Sequence, residues 1–162
     1  MDEHSIISFS KGEIEGWRGL PAGLSIEELN GFFGSPVETK EECLGYYLAA
    51  KYTFSGGLIA YVRQQSVVMI ETANLPTPGI LEQLPSPDAV LPHEIWVDGA
   101  YAHEYIYCAR GLDLTVAEFF DEAAANEIVR CRGFEAIERP GEVDARYHRV
   151  FEDNTFWENV KR

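Results

Sequence analysis

The sequence predicts an α+β protein in which two tandem units, each a short helix followed by an antiparallel β-meander, form one open sheet with the helices on one face. Three observations support this fold class. A short helix with clear start and stop signals begins near residue 25, aromatic and β-branched runs separated by turns follow it, and a similar order of features returns about 50 residues later. We therefore divide the chain into an N-terminal extension (1–22), a first unit (23–75), a second unit (76–139), and a C-terminal helix and tail (140–162) packed on the same domain.

The first helix is predicted from its caps. Ser25 suits the N-cap position, and Glu28, three residues later, completes a capping box. Gly34 supplies a left-handed stop, and Pro36 prevents the helix from continuing. Because a helix of about eight residues is unstable alone in water, we expect its apolar side to pack against the sheet.

Three strands are predicted to follow in the first unit. They are the segments "LGYYLAAKYTF", "LIAYV" and "SVVMIET", which are rich in aromatic and β-branched residues and are separated by "SGG" and "RQQ". Alternation places one set of side chains on the core face: Tyr52, Phe54, Leu58, Ala60 and Val62.

The second unit repeats this order. The segment "ILEQLPSP" falls where "LNGFFGSP" falls in the first unit, and "EYIYCARGLDLTV" resembles "KYTFSGGLIAYV". Strands are therefore predicted at 112–117 and 127–134, with room for a helical turn between them. The alternative is one amphipathic helix across 115–132, with Thr115 and Glu118 as its capping box.

The helix motif also indicates a family resemblance. It consists of Gly23, Leu24, Ser25, Glu28, Leu29, Gly34 and Pro36, and is matched less fully by Leu81, Leu84 and Pro87 in the second unit. This pattern resembles the β-lactamase-inhibitor-protein family, whose unit also occurs in small lipoproteins of outer-membrane assembly. The second unit departs from it, with Pro85 in the place of Gly34. The resemblance implies two tandem units and an open sheet that presents one face to a protein partner.

Charge narrows the class of partner. The chain has 27 acidic and 13 basic residues, a formal net charge of −14, which argues against nucleic-acid binding. Ten of the acids lie in residues 82–127, where Arg110 is the only base, so we expect a protein partner with a basic surface. The chain has no apolar run of membrane-spanning length, and its acidic start does not resemble a signal peptide, so we expect a cytoplasmic protein without membrane contact.

The leading hypothesis is a non-enzymatic protein-binding domain, of the inhibitor or immunity type, that uses the open sheet face. Aromatic and arginine side chains are the usual anchors of such interfaces. The candidate binding residues are Tyr47, Tyr61, Arg63, Trp96, Tyr101, Glu104, Ile106 and Asp113. In the alternative arrangement, the last helix or the tail covers this face.

Two further hypotheses stay open. One is a small enzyme or ligand-binding domain with a pocket around His103, Tyr105 and His148. The other is an acidic adaptor that resembles secretion chaperones and would form a symmetric dimer. No HExxH, P-loop or nucleophile-elbow motif is present, so no catalytic residue is assigned. No cofactor or metal is predicted either, because the three cysteines are far apart and form no Cys/His cluster.

Overall fold

The computed structural model describes residues 6, 9–11, 13, 14, 17–20, 23–45, 47–72, 77–92 and 99–143. The helices and strands with described bounds begin with α1 (Ile26–Phe33), β1 (Glu38–Leu44), β2 (Tyr47–Thr53), β3 (Ile59–Arg63) and β4 (Ser66–Thr72). They are followed by α2 (Thr77–Gln83), β5 (Ala89–Pro92), β6 (Ala100–Tyr107), β7 (Leu112–Phe119) and β8 (Glu127–Gly133). Within the described residues, no helix is both long and apolar enough to cross a membrane.

The caps of α1 are formed as the sequence predicts. The Glu28 amide donates to Ser25 Oγ at 3.2 Å, and the Ser25 amide donates to Glu28 Oε2 at 2.7 Å. At the other end, Gly34 has a φ of 80°, and its amide donates to the Asn30 carbonyl at 2.8 Å. These bonds satisfy backbone groups that the helix itself leaves without partners, and they confirm the predicted bounds.

In the described part of the chain, the strands form one antiparallel, eight-stranded sheet in the order β1-β2-β3-β4-β8-β7-β6-β5. The alternative helix across 115–132 is therefore wrong, because β7 pairs along its length with both β6 and β8. Thr115 and Glu118, its proposed caps, are strand residues. The prediction also lacked β1 and β5, which are the two edge strands.

The first half of the sheet consists of β1–β4, and the second half consists of β5–β8. Each half contains a β-bulge, and the two bulges lie at corresponding positions. One interrupts the β3–β4 pairing directly after Tyr61, and the other interrupts the β7–β8 pairing directly after Thr115. The halves meet where β4 pairs with β8, and Glu71 lies opposite Arg132 at the middle of this pairing. A bulge increases local twist and turns the residues beyond it, so both hairpins bend at corresponding positions.

The main core lies between the helices and one sheet face, here called the helix-side face. All five residues predicted for the core face of the first unit belong to it: Tyr52, Phe54, Leu58, Ala60 and Val62. Residues from the N-terminal 22 also contribute: Ile6, Phe9, Ile14, Trp17 and Leu20. Trp17 packs so closely on β8 that a Cβ at Gly133 would lie 2.6 Å from its ring. The N-terminal region therefore supplies part of this core.

The opposite sheet face, here called the far face, is expected from the sequence to be open to solvent, but much of it is buried. Four candidate binding residues on it are buried: Tyr61, Glu104, Ile106 and Asp113. Phe134, Ile137 and Val143, which follow β8, join Tyr61 and Ile106 in one buried cluster. The expectation of an exposed face at these positions is wrong because apolar residues from the chain after β8 pack on it.

Candidate functional site

The predicted binding residues occupy three separate environments. Tyr47 and Arg63 lie together in the first half of the sheet, where the Arg63 guanidinium carbon is 4.1 Å from the centroid of the Tyr47 ring. Glu104, Ile106 and Asp113 are in the interior. Tyr101 is exposed on the helix-side face, and Trp96 lies outside the described residues. The candidates therefore do not form one surface.

Glu104 and Asp113 belong to a buried ion network centred on Arg132. Arg132 Nε donates to Asp113 Oδ2 at 2.8 Å, and Arg132 Nη2 donates to Glu104 Oε1 at 2.7 Å and also to Asp113 Oδ2. Arg130 approaches from the same strand, with Nη2 3.4 Å from Glu104 Oε1. The network joins β6, β7 and β8, so it fixes their register from within the protein.

The electrostatics of this network fit a structural role. Burial by itself lowers the pKa of Arg132, but the carboxylates of Asp113 and Glu104 outweigh it and raise that pKa. Burial raises the pKa of the neighbouring Cys131 thiol well above its usual value, and Asp113 raises it further. Arg132 is therefore held in its charged form, and Cys131 is held as an unreactive thiol. Two acids of the acidic segment 82–127 are thus neutralised internally and add little to the surface field.

An exposed aromatic pair lies at the end of the β6–β7 pairing. Tyr101 and Phe120 are 52% and 58% exposed, and their rings meet edge to face with centroids 4.6 Å apart. A backbone bond from the Phe120 amide to the Gly99 carbonyl, at 2.9 Å, holds the two chain segments together. The His103 ring lies 6.4 Å from that of Tyr101. Together with Glu118, these residues form what we call the aromatic surface: Tyr101, His103, Glu118 and Phe120.

Glu118 organises the polar part of this surface. It lies directly opposite Tyr101 across the β6–β7 pairing, and its carboxylate bridges two β6 side chains. Tyr105 Oη donates to Glu118 Oε1 at 2.5 Å, and His103 Nδ1 is 3.5 Å from Glu118 Oε2. Burial and the bond to Glu118 together raise the pKa of Tyr105 to about 12. The tyrosine therefore keeps its proton at ordinary pH, and the carboxylate is held in a defined orientation.

The sequence predicts that His103 and Tyr105 lie near each other, but it does not indicate that Glu118 contacts both of them. Alternation along β6 puts residues 103 and 105 on one face, and the structure confirms this. The sequence indicates Glu118 only as a helix-cap residue. Extending the predicted strand 112–117 by one residue places Glu118 on the same face as Leu114 and Val116. His148, the third residue of the alternative pocket, lies outside the described residues.

An exposed acidic loop follows the aromatic surface. Residues 120–126, between β7 and β8, and Glu127, the first residue of β8, are all exposed, and they include Asp121 and Glu122. Asp121 Oδ1 accepts a hydrogen bond from the Ala123 amide at 3.0 Å, which stabilises the turn. Aromatic rings and carboxylates therefore occur side by side here, an arrangement that suits contact with a cationic partner.

Cys108 and His103 are not arranged for nucleophilic catalysis. Cys108 lies on the far face, whereas His103 lies on the helix-side face, so the two cannot act as nucleophile and base. Burial and the Asp88 carboxylate also raise the pKa of the Cys108 thiol, which disfavours the reactive thiolate. Within the described residues, His, Cys, Asp and Glu side chains form no group of three or more that could hold a metal ion.

Comparison with known proteins adds no family assignment. No protein-family model, no curated protein and no solved structure matches this chain.

Proposed function

We propose that this chain is an acidic, non-enzymatic protein-binding domain, of the inhibitor or immunity type, which binds a basic protein through the aromatic surface. The observation that carries the proposal is the Tyr101–Phe120 pair, two large rings packed on each other and more than half exposed. The proposed interface is on the helix-side face, since the far face is buried at four of the residues first considered.

Physical reasons favour a protein partner at this position. Removing exposed aromatic rings from water on binding is energetically favourable, and aromatic residues commonly contribute most of the binding energy of protein interfaces. The neighbouring Asp121 and Glu122 are exposed and have no basic counterpart in the segment 82–127 apart from Arg110. Such a surface attracts a basic partner at long range, which raises the association rate and makes it sensitive to salt.

The proposal includes the tandem architecture of residues 23–75 and 76–139. It is supported by the matching bulges after Tyr61 and Thr115 and by the pairing of Glu71 with Arg132 where the halves meet. Each half also has the order of one short helix and then four strands. The resemblance to the β-lactamase-inhibitor-protein family implies two such units, so the same observations support it as a proposal about fold.

A capture experiment with matched variants tests this function. The full chain is immobilised, exposed at low salt to lysate of the source cell, and compared with Tyr101→Ser/Phe120→Ser. We expect a basic protein that binds the wild type, elutes as salt rises, and binds the double variant at least about ten-fold more weakly. The control is Val37→Ser/Leu48→Ser, which alters two equally exposed apolar residues in the first half of the sheet. An equal loss of partner binding in both double variants, or no loss of binding in Tyr101→Ser/Phe120→Ser, would contradict the proposal.

A small-molecule site is the second candidate, because Glu118 contacts His103 and Tyr105 with its two oxygens. A pocket there would bind a polar metabolite through this carboxylate. The test is thermal unfolding with fractionated metabolites: the second candidate requires a fraction that stabilises the wild type and does not stabilise Glu118→Gln. If no fraction does so, protein binding is favoured.

The adaptor hypothesis is distinguished by oligomeric state. A symmetric dimer is required for the secretion-chaperone type of adaptor, whereas an inhibitor or immunity protein does not require one. Light scattering measures the molar mass directly: a value near the 18.2 kDa of one chain excludes the adaptor, and a value near twice that favours it.

A further inference from the structure

We propose that the aromatic surface binds an arginine side chain of its basic partner, with the guanidinium against the exposed Tyr101 ring and in contact with the Glu118 carboxylate. This inference rests on the proposed function and names the chemical group that the surface recognises. It follows from the position of Glu118, from two guanidinium contacts within the chain itself, and from the charge around the surface.

Glu118 is suited to accept a further donor. Its side chain is 36% exposed, and it lies opposite Tyr101 in the β6–β7 pairing. One oxygen accepts from Tyr105 Oη, and the other faces His103 Nδ1. A carboxylate offers about four lone-pair directions, so these contacts orient the group and leave acceptor capacity. Because Tyr101 and Glu118 are opposite each other in the strand pairing, a long arginine side chain of a partner can reach both the ring and the carboxylate.

Among the residues that the structure describes, arginine guanidinium groups lie over aromatic rings at two places. Arg63 lies over the Tyr47 ring at 4.1 Å, and Arg132 lies 5.9 Å from the Phe134 ring while it binds two carboxylates. Arg132 thus shows the full combination of ring, guanidinium and carboxylate within this protein. The aromatic surface presents the ring and the carboxylate of that combination, at partly exposed positions.

Arginine fits this surface better than lysine does. A guanidinium is planar, so it can stack on the Tyr101 ring while it donates two parallel bonds to a carboxylate, whereas an ammonium is compact and strongly hydrated. Phe120 packs edge to face against Tyr101 and limits the ring's rotation. The exposed Asp121 and Glu122 add a negative field that attracts either cation, so they do not account for a preference.

The experiment titrates N-acetyl-arginine amide and N-acetyl-lysine amide into the full chain and follows aromatic and backbone NMR signals. We expect saturable shifts at Tyr101, Phe120 and Glu118, with arginine amide binding about two- to five-fold more tightly than lysine amide. The variants Tyr101→Leu and Glu118→Gln should each weaken arginine binding about three-fold. Leu48→Ala, an exposed residue elsewhere on the sheet, is the matched control and should leave it unchanged.

The possible outcomes separate this inference from the proposed function. Equal affinity for the two amides, or shifts centred away from Tyr101 and Glu118, would overturn the arginine site. The protein-binding function would still stand if the captured partner requires Tyr101 and Phe120. Conversely, selective arginine binding combined with a partner whose binding does not depend on Tyr101 or Phe120 would support the arginine selectivity of this surface, but would overturn both the proposed interface and the assignment of the arginine to that partner.

Discussion

Replacement of Arg132 by methionine is expected to destabilise this protein strongly. Methionine is unbranched and uncharged, so the substitution keeps an apolar chain close to the aliphatic part of arginine and removes the guanidinium. The lost bonds are those to Asp113 and Glu104, whose side chains are fully buried. Arg130 Nη2 remains 3.4 Å from Glu104 Oε1 and partly neutralises that carboxylate. The Asp113 carboxylate is therefore the one left buried without a compensating charge.

The expected loss is about 3–5 kcal/mol of unfolding free energy, the usual cost of breaking a buried ion pair from one side. Since single domains are stable by about 5–15 kcal/mol, this is a large share of the total. Urea titration followed by circular dichroism measures the change. The control is Arg139→Met, because the Arg139 side chain is 81% exposed and its loss should change stability by less than about 0.5 kcal/mol.

A double-mutant cycle keeps the reasoning testable if the single variant folds poorly. In Arg132→Met/Asp113→Asn, no uncompensated Asp113 carboxylate remains. The loss of unfolding free energy in the double variant should therefore be smaller than the sum of the losses in the two single variants, with a coupling energy of about 1–3 kcal/mol. The account of the network is refuted if Arg132→Met costs no more than Arg139→Met, or if the cycle gives additive losses.

Three further predictions concern other parts of the molecule. Gly133→Ala should cost about 1–3 kcal/mol, because the new methyl group would lie 2.6 Å from the Trp17 ring; urea titration checks this, and a neutral result would contradict the packing. Because the folded pKa of Tyr105, about 12, exceeds its usual 10.0, its contribution to stability is complete below pH 10 and is lost as pH rises toward 12. Unfolding titrations should therefore show a steeper alkaline loss for the wild type than for Tyr105→Phe, and parallel curves would disprove the assignment. A thiol reagent should modify the exposed Cys43 in the native protein and reach the buried Cys131 only on unfolding, so equal rates would exclude the buried position.

Local signals predicted much of the fold. The caps at Ser25 and Gly34 depend only on neighbouring residues, so the bounds of α1 could be read directly from the sequence. Alternation likewise separated the two faces of β3 and β6. In contrast, β1 has the sequence "ETKEECL" and is mostly exposed, so its hydrophobic pattern is too weak to indicate a strand. It forms because β2 supplies a pairing partner, which a local pattern does not encode.

The site was harder to predict for the same reason. Glu104 and Asp113 look like surface acids in the sequence, and they are buried because Arg132, 28 and 19 residues away along the chain, neutralises them. Trp17 likewise reads as part of a polar N-terminal segment, although it packs on β8. The position of Glu118 opposite Tyr101 depends on the register of two strands. Long-range pairing therefore decided both the burial of the far face and the composition of the aromatic surface.

The central claim is that the partner covers the aromatic surface and the acidic loop after it. Hydrogen–deuterium exchange of the full chain, with and without the captured partner, tests this directly. The account predicts slower exchange at the amides of the surface-exposed residues 120–127 and at the start of β6, with the residues around Val37 and Leu48 unchanged. Protection confined to β1 and β2, with residues 120–127 unaffected, would contradict it.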